Sequence, residues 1–213
     1  MYSFGIFDEI PSQYNAVYIV LLLSGVGFLL PYNSFITAVD FFQDIFPGTT
    51  IILDISLVYI LTALIAVLLN NVIIETFSLQ TRIMFGYLVS LVVLSTFLLL
   101  VWTSSLTTDQ SYALVLLLVS VLSLAATVQQ SSVYGLTGLL PRRFTQAVMT
   151  GESVAGCLAC VNRILSKLLV ENTRTSTGLF IILSIILLLI CSYNFHKVTD
   201  HLETPTVIRQ KPF

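Results

Sequence analysis

The sequence predicts an all-α integral membrane protein, and the evidence is its composition and its long apolar segments. Of the 213 residues, 56% are hydrophobic and only 9% are charged, and the mean hydropathy is +0.96. A soluble domain carries about 25% charged residues, which it needs to solvate its surface. Apolar runs of about 20 residues have the length with which an α-helix crosses the hydrocarbon core of a bilayer. The lipid bilayer is therefore the expected environment of this chain.

Six segments combine this length with this composition, and we predict that each is a transmembrane helix. They cover residues 16–42, 51–74, 83–102, 112–140, 144–170 and 177–195. Their apolar runs lack the alternation that the strands of a membrane barrel require, which favours helices. The predicted organisation is a six-helix domain over residues 16–195, with an N-terminal tail at 1–15 and a C-terminal tail at 196–213.

The distribution of lysine and arginine near the span ends predicts the orientation of the domain. One side of the membrane has Lys167 and Arg174, and the other side has six basic residues: Arg82, Arg142, Arg143, Lys197, Arg209 and Lys211. Because basic loops stay in the cytoplasm, both termini are predicted to be cytoplasmic. The net charge of −2 and the absence of a basic patch exclude a nucleic-acid partner.

Glu152 lies inside the fifth predicted span, where an ionised side chain costs roughly 2.5 to 3.5 kcal/mol and indicates a functional site. The candidate partner in the same span is Arg163, eleven residues later. The two share a helix face to within about 20°, but the helical rise separates them by roughly 16 Å. We predict that Arg163 reaches toward water or another helix, which leaves Glu152 to accept a cationic ligand or hold a proton. The alternative is a structural carboxyl kept protonated by its apolar surroundings.

Further polar side chains within the spans are candidates for a ligand site together with Glu152. They are Tyr32, Asn33, Tyr59, Gln129 and Gln130. We predict a substrate-binding role for this set, with Gln130 as its representative on the fourth span. The alternative for each amide is a hydrogen bond between packed helices, which contributes about 0.6 kcal/mol.

Small residues recur at a spacing of four on two neighbouring spans. The fifth span has Gly151, Ala155 and Ala159, and the fourth has Ser131 and Gly135. Small residues allow membrane helices to approach closely. We therefore predict that the fourth and fifth spans pack against each other through these residues.

The first span contains two glycines and a proline that predict an interruption of the helix. Gly25, Gly27 and Pro31 lie near its middle. A broken or kinked helix at mid-membrane exposes backbone groups to a substrate in several transporter folds. We expect such a break here.

No catalytic or metal-binding pattern is recognisable, and we predict neither an enzyme nor a cofactor. Ser153 lacks the spacing of a nucleophile elbow. Cys157 and Cys160 form a CxxC on a helix without the second ligand pair that zinc requires. Asp40 and Asp54 lie near the external ends of their spans, where water can solvate them, so we interpret them as rim residues rather than a catalytic dyad.

Two longer motifs resemble those of the equilibrative nucleoside transporter family. Residues 25–37, GVGFLLPYNSFIT, resemble the family's first-helix signature, and residues 129–141, QQSSVYGLTGLLP, resemble its fourth helix and the turn that follows. Residues 144–156 resemble the start of its fifth helix, and the similarity extends over nearly all of residues 14–195. The resemblance implies the N-terminal six-helix half of a major-facilitator-like transporter.

Within this family the chain resembles most closely the plasma membrane monoamine transporter branch. Nucleoside-selective members usually have a neutral residue at the position of Glu152 and a tryptophan at that of Tyr32, and Tyr59 also matches the monoamine branch. The glutamate is implicated there in selecting organic cations. The resemblance implies sodium-independent, facilitative transport of monoamines or organic cations across the plasma membrane by alternating access. The alternative within the family is a nucleoside carrier.

The family has eleven spans, whereas six are predicted here. In transporters built from two helical halves the substrate lies between them. We therefore expect this chain to need a second transporter half or self-association as a partner. The alternative is a truncated half that does not transport and acts only as an assembly partner.

Overall fold

The computed structural model describes residues 11–103 and 107–202, and within them the side chains of 15–69, 77–103 and 107–197. These residues form seven α-helices. They are α1 (Pro11–Thr37), α2 (Val39–Ile45), α3 (Ile51–Thr76), α4 (Leu79–Trp102), α5 (Thr108–Gly138), α6 (Arg142–Leu169) and α7 (Thr173–Leu202). The predicted all-α fold class is confirmed.

Five of these helices are long and apolar enough to cross a membrane: α1, α3, α4, α5 and α7. The remaining predicted span corresponds to α6, which has 28 residues and therefore the length to cross a bilayer. Its sequence is more polar, because Glu152, Asn162 and Arg163 interrupt the apolar residues. Composition alone does not identify α6 as a span, and its crossing stays a prediction.

Polar caps explain why three helices begin before the predicted spans do. The Ser78 hydroxyl accepts a hydrogen bond from the Thr81 N–H at 3.3 Å, so α4 begins at residue 79 rather than 83. Thr107 and Gln110 form a capping box that begins α5 four residues early. At the start of α7, the Asn172 side chain accepts hydrogen bonds from two backbone N–H groups.

The first predicted span is wrong at its C-terminal end, because the helix stops at Thr37. The N–H of Ala38 donates to the carbonyl of Phe35 at 3.2 Å, three residues back instead of four. The hydroxyl of Thr37 donates to the carbonyl of Asn33 at 2.6 Å, a bond that commonly bends helices. The residues up to 42 therefore belong to the separate short helix α2.

The predicted break inside the first span is also wrong, since α1 is one continuous helix that includes Pro31. A helical backbone satisfies its own hydrogen bonds, which lipid cannot do, and neighbouring helices accommodate an internal proline. The glycines provide space instead. A Cβ atom on Gly27 would lie 2.6 Å from Cε1 of Tyr87 on α4.

Gly25 and Gly151 bring the backbones of α1 and α6 into direct contact. A Cβ on Gly25 would lie 2.2 Å from the carbonyl oxygen of Val148, and one on Gly151 would lie 2.0 Å from that of Leu22. Backbone atoms cannot move aside as a flexible side chain can. Only glycine fits at either position, and the crossing of α1 and α6 is fixed there.

The predicted packing of the fourth and fifth spans through small residues is only partly right, since α5 and α6 are in contact but Gly151 packs against α1. The buried strip of Gly151, Ala155 and Ala159 on α6 faces α1, which makes the most extensive contact with α6. Gly135 on α5 is exposed, and a Cβ there would meet no atom within 4 Å. The recurrence of small residues identified the close-packed face of α6 but not the helix against which it packs.

The helices are arranged around α1, which packs against α5, α6 and α7, while α3 lies at the periphery and packs mainly against α5. Stacked aromatic rings fill the core at the junction of α1 and α2. Phe35 and Phe42 both stack on Phe97, with ring centroids 4.5 and 5.5 Å apart. These contacts hold α2 against the end of α1 and α4.

We predict that Gly25→Ala destabilises the fold by about 2 kcal/mol or more, because the new methyl group collides with the backbone of α6. Gly135→Ala is the matched control. Its methyl group meets open space, and alanine favours the helix by up to about 1 kcal/mol. Thermal unfolding of the purified chain, followed by circular dichroism, should show a lower midpoint for Gly25→Ala only. Equal midpoints in the two variants would contradict the backbone contact.

Candidate functional site

Glu152 lies near the middle of α6, one residue after the Gly151 contact, and is partly buried. Its Oε1 atom accepts two hydrogen bonds from α5. The Gln130 side-chain Nε2 donates at 3.0 Å, and the Tyr134 hydroxyl donates at 2.9 Å. Both donors are neutral, so they orient the carboxylate without neutralising its charge.

The rings of Tyr32 on α1 and Tyr59 on α3 stack beside this carboxylate. Their centroids are 3.7 Å apart and their planes differ by 22°. The Tyr59 phenol also interacts electrostatically with Glu152. The backbone of Tyr59 is fixed to α5, because the Ser123 hydroxyl donates to its carbonyl at 2.7 Å. The structure thus brings these two predicted residues together with Glu152.

Asn33, the fifth predicted binding residue, lies between α1 and α6. Its Nδ2 atom is buried and has no hydrogen-bond partner among the described residues. It lies 4.0 Å from the position that a Cβ on Gly156 would occupy, one helical turn after Glu152. An unpartnered buried amide costs about 1 to 3 kcal/mol. A ligand acceptor group at this position would remove that cost.

Of the two neighbouring glutamines, only Gln130 joins the cluster. Gln129 is fully buried and lies against α4, where a Cβ on Gly86 would be 2.6 Å from its Oε1. Consecutive residues on a helix point about 100° apart, so both cannot face α6. Tyr134 was not among the residues predicted from the sequence. The signal was its position four residues after Gln130, which places the two on the same helix face.

Arg163 does not pair with Glu152, as predicted, and reaches another helix instead. Its Nη2 donates to Oδ2 of Asp40 on α2 at 2.5 Å, and Lys167 lies 3.0 Å from the same oxygen. The guanidinium also lies over the ring of Phe180 on α7, 5.4 Å from the centroid. This ion-pair cluster joins α2, α6 and α7 about 16 Å along α6 from Glu152.

The cluster changes the proton affinity of Asp40. Partial burial acts to raise the pKa of this carboxyl group, but the hydrogen bonds and positive charges of Arg163 and Lys167 outweigh it. The net pKa lies below the ordinary value of 3.8. Asp40 is thus an anion that neutralises Arg163, rather than a rim residue solvated by water alone.

A second polar network, next to Arg163, links α1, α6 and α7. Ser34 donates to the Ser184 hydroxyl at 3.1 Å, and Asn162 donates to Ser184 and to the carbonyl of Phe180. Hydrogen bonds of this kind hold membrane helices together. Asn162 therefore joins packed helices, which is the alternative role proposed above for the amides of the candidate site.

The arrangement gathers polar side chains from four helices inside an otherwise apolar bundle. Tyr32 and Asn33 come from α1, Tyr59 from α3, Gln130 from α5 and Glu152 from α6. Such a cluster can bind a small ligand that carries a positive charge, an aromatic ring and an acceptor group. A helical membrane bundle with a polar cluster between its helices is an architecture that solute transporters use.

Comparison with known proteins agrees with this class. The sequence model of the family described as Nucleoside transporter matches residues 116–206. The chain is 52% identical over 180 residues to the human protein named equilibrative nucleoside transporter 4, and 48% identical over 180 residues to the Danio rerio protein of that name. It is 30% identical over 207 residues to equilibrative nucleotide transporter 1 of Arabidopsis thaliana.

These alignments cover most of this chain but only part of each relative. They include 84% of the chain against the human and fish proteins and 93% against the plant protein. The chain spans 34%, 35% and 46% of the three relatives, respectively. The chain belongs to the equilibrative nucleoside transporter family, and its relatives are named as transporters rather than enzymes.

We predict that Asp40→Asn lowers the stability of the fold by about 2 kcal/mol at pH 7, because it leaves Arg163 buried without a counter-charge. The folded-state pKa of Asp40 is lowered, so the ion pair stabilises the fold above the ordinary pKa and this contribution is lost as the pH falls through the folded value. The difference in unfolding midpoint between parent and variant should therefore shrink below about pH 4.

The matched control for this experiment is Asp44→Asn, which changes an exposed aspartate on the same short helix. Its unfolding midpoint should stay close to that of the parent both at pH 7 and below about pH 4. A constant difference between parent and Asp40→Asn across the pH range would show that the ion pair does not stabilise α2.

Proposed function

We propose that this chain is the N-terminal six-helix half of a facilitative carrier for organic cations and monoamines, with Glu152 as the residue that binds the cation. The family supports facilitative transport. The observation that carries the cationic substrate class is the environment of Glu152, whose carboxylate accepts hydrogen bonds from two neutral donors. Arg163, which shares a face of α6 with Glu152, is occupied elsewhere, since it pairs with Asp40.

A carboxylate inside a bilayer whose described hydrogen-bond donors are both neutral favours a ligand that supplies a positive charge. An ammonium group that donates to Glu152 would form a charge-assisted hydrogen bond, which is roughly twice as strong as a neutral one. The stacked rings of Tyr32 and Tyr59 add a surface for cation–π contact, which contributes about 0.5 to 2 kcal/mol. An aromatic amine such as serotonin combines both features.

The second candidate is a nucleoside carrier, and two observations favour it. The matching family is described as Nucleoside transporter. The amides of Asn33 and Gln130 also offer the donors and acceptors that a nucleobase or ribose would need, and Asn33 has a buried Nδ2 without a partner among the described residues. The two candidates differ in whether the charge of Glu152 is needed.

The proposed orientation, membrane and partner of this chain rest on its basic residues and on its resemblance to transporters. The distribution of basic residues supports cytoplasmic termini, and resemblance to the monoamine branch supports the plasma membrane. Carriers of this type place the substrate between two helical halves. The partner that completes the site would be a second transporter half or a second copy of this chain, within the lipid bilayer.

The test is uptake of radiolabelled serotonin, methylpyridinium and uridine by cells that express this chain, with and without Glu152→Gln. We expect uptake of both cations to fall about tenfold or more. Serotonin loses a charge-assisted hydrogen bond, and methylpyridinium, which has no N–H, loses the attraction of its charge to the carboxylate. Uridine uptake should change less than twofold, because the glutamine keeps the shape and the amide neighbours of the site.

Glu171→Gln provides the matched control, since it makes the same change at an exposed residue between α6 and α7. Surface labelling shows whether each variant reaches the plasma membrane. An equal loss of cation and uridine uptake at normal surface expression would exclude selection by charge. No uptake by the parent chain at normal surface expression would favour a half that needs a partner.

A further inference from the structure

Tyr134 is a residue of the candidate site that neither sequence motifs nor polarity within the predicted spans singled out. It lies on α5, one helical turn after Gln130, and its hydroxyl donates to Oε1 of Glu152 at 2.9 Å. Gln130 donates to the same oxygen at 3.0 Å. Both hydrogen bonds that the described residues make to this carboxylate therefore converge on one of its two oxygen atoms.

The two oxygen atoms of the carboxylate therefore differ in their capacity to bind a ligand. An oxygen that already accepts two hydrogen bonds has little capacity for a third, whereas Oε2 retains its lone pairs. A phenol and an amide fix the orientation of the group while leaving its charge intact. Two donors from one helix therefore restrict the orientation of the Glu152 carboxylate.

We propose that Tyr134 is a positioning residue that, together with Gln130, holds Oε1 of Glu152 and presents Oε2 to the ammonium group of a ligand. The inference rests on the proposed function, because it assigns a role in cation binding. It adds that the ligand forms its charge-assisted hydrogen bond with one oxygen only. Ligands with an N–H donor on the charged nitrogen, such as primary amines, should then depend on Tyr134 more than cations without one.

The first experiment measures the transport kinetics of Tyr134→Phe, which removes only the hydroxyl group. We expect the KM for serotonin to rise about fivefold, which corresponds to the typical net contribution of one hydrogen bond, with the maximal rate unchanged. The KM values for methylpyridinium and uridine should change less than twofold. Tyr193→Phe on α7 is the matched control, because that tyrosine is exposed.

A double-mutant cycle separates positioning from a general effect on the fold. If Tyr134 acts through the carboxylate, Tyr134→Phe has no further effect on serotonin uptake in the Glu152→Gln background. The same fivefold effect in both backgrounds would overturn the proposal, since it would show that the tyrosine acts independently of the charge.

A spectroscopic measurement tests the contact without any need for transport. The carboxylate stretching band of Glu152 is obtained as the infrared difference between the purified parent chain and Glu152→Gln, both in phosphatidylcholine nanodiscs. Loss of a hydrogen bond should shift this band in Tyr134→Phe and leave it unchanged in Tyr193→Phe. An unshifted band in Tyr134→Phe would overturn the positioning role.

The two measurements together distinguish failure of this inference from failure of the proposed function. A shifted band in a chain whose cation uptake does not depend on Glu152 would retain the contact and reject the role in cation transport. Cation uptake that depends on Glu152 but not on Tyr134 would support the proposed function and reject the positioning role.

Discussion

The backbone contact between α1 and α6 at Gly25 and Gly151 is the constraint on which the site depends. Helices in a bilayer gain little from hydrophobic burial against one another, so close van der Waals packing and hydrogen bonds hold them together. Here the two backbones touch, and no residue with a Cβ fits at either position. Tyr32 and Asn33 lie about two turns after Gly25, and Glu152 follows Gly151 directly, so the crossing sets the depth and rotation of all three.

The charges on α6 are separated into two environments, and this separation gives the site its chemistry. Toward the C-terminal end of α6, Asp40 neutralises Arg163 and joins the short helix α2 to α6. Among the described residues, Glu152 accepts hydrogen bonds from the neutral side chains of Gln130 and Tyr134. A pair between Arg163 and Glu152 would remove the charge that a cationic ligand needs. The two environments lie on one face of one helix, and the length of the intervening turns keeps them apart.

Local sequence signals predicted the helices more reliably than their contacts. The apolar runs predicted the long helices correctly. Lipid offers no hydrogen-bond partners, so each membrane segment must satisfy its own backbone groups as a helix. Their ends differed where polar caps at Ser78 and Thr107 begin the helices early, and where the chain turns at Ala38. The small-residue strip on α6 was recognised, but its partner helix was not. A strip of small residues shows that something approaches closely, and not which helix does.

The sequence by itself determined that the chain is an apolar helical bundle with an ionisable residue, Glu152, inside a predicted span. It also gave the candidates for a site around this residue, which are Tyr32, Asn33, Tyr59 and Gln130. Composition and helical period suffice for these conclusions because both are local properties. Only the tertiary structure decided that Gln130 rather than Gln129 faces Glu152, that Tyr134 joins it, and that Asp40 occupies Arg163. Each of these depends on the rotation of one helix against another, which is a property of the packed bundle and not of any single segment.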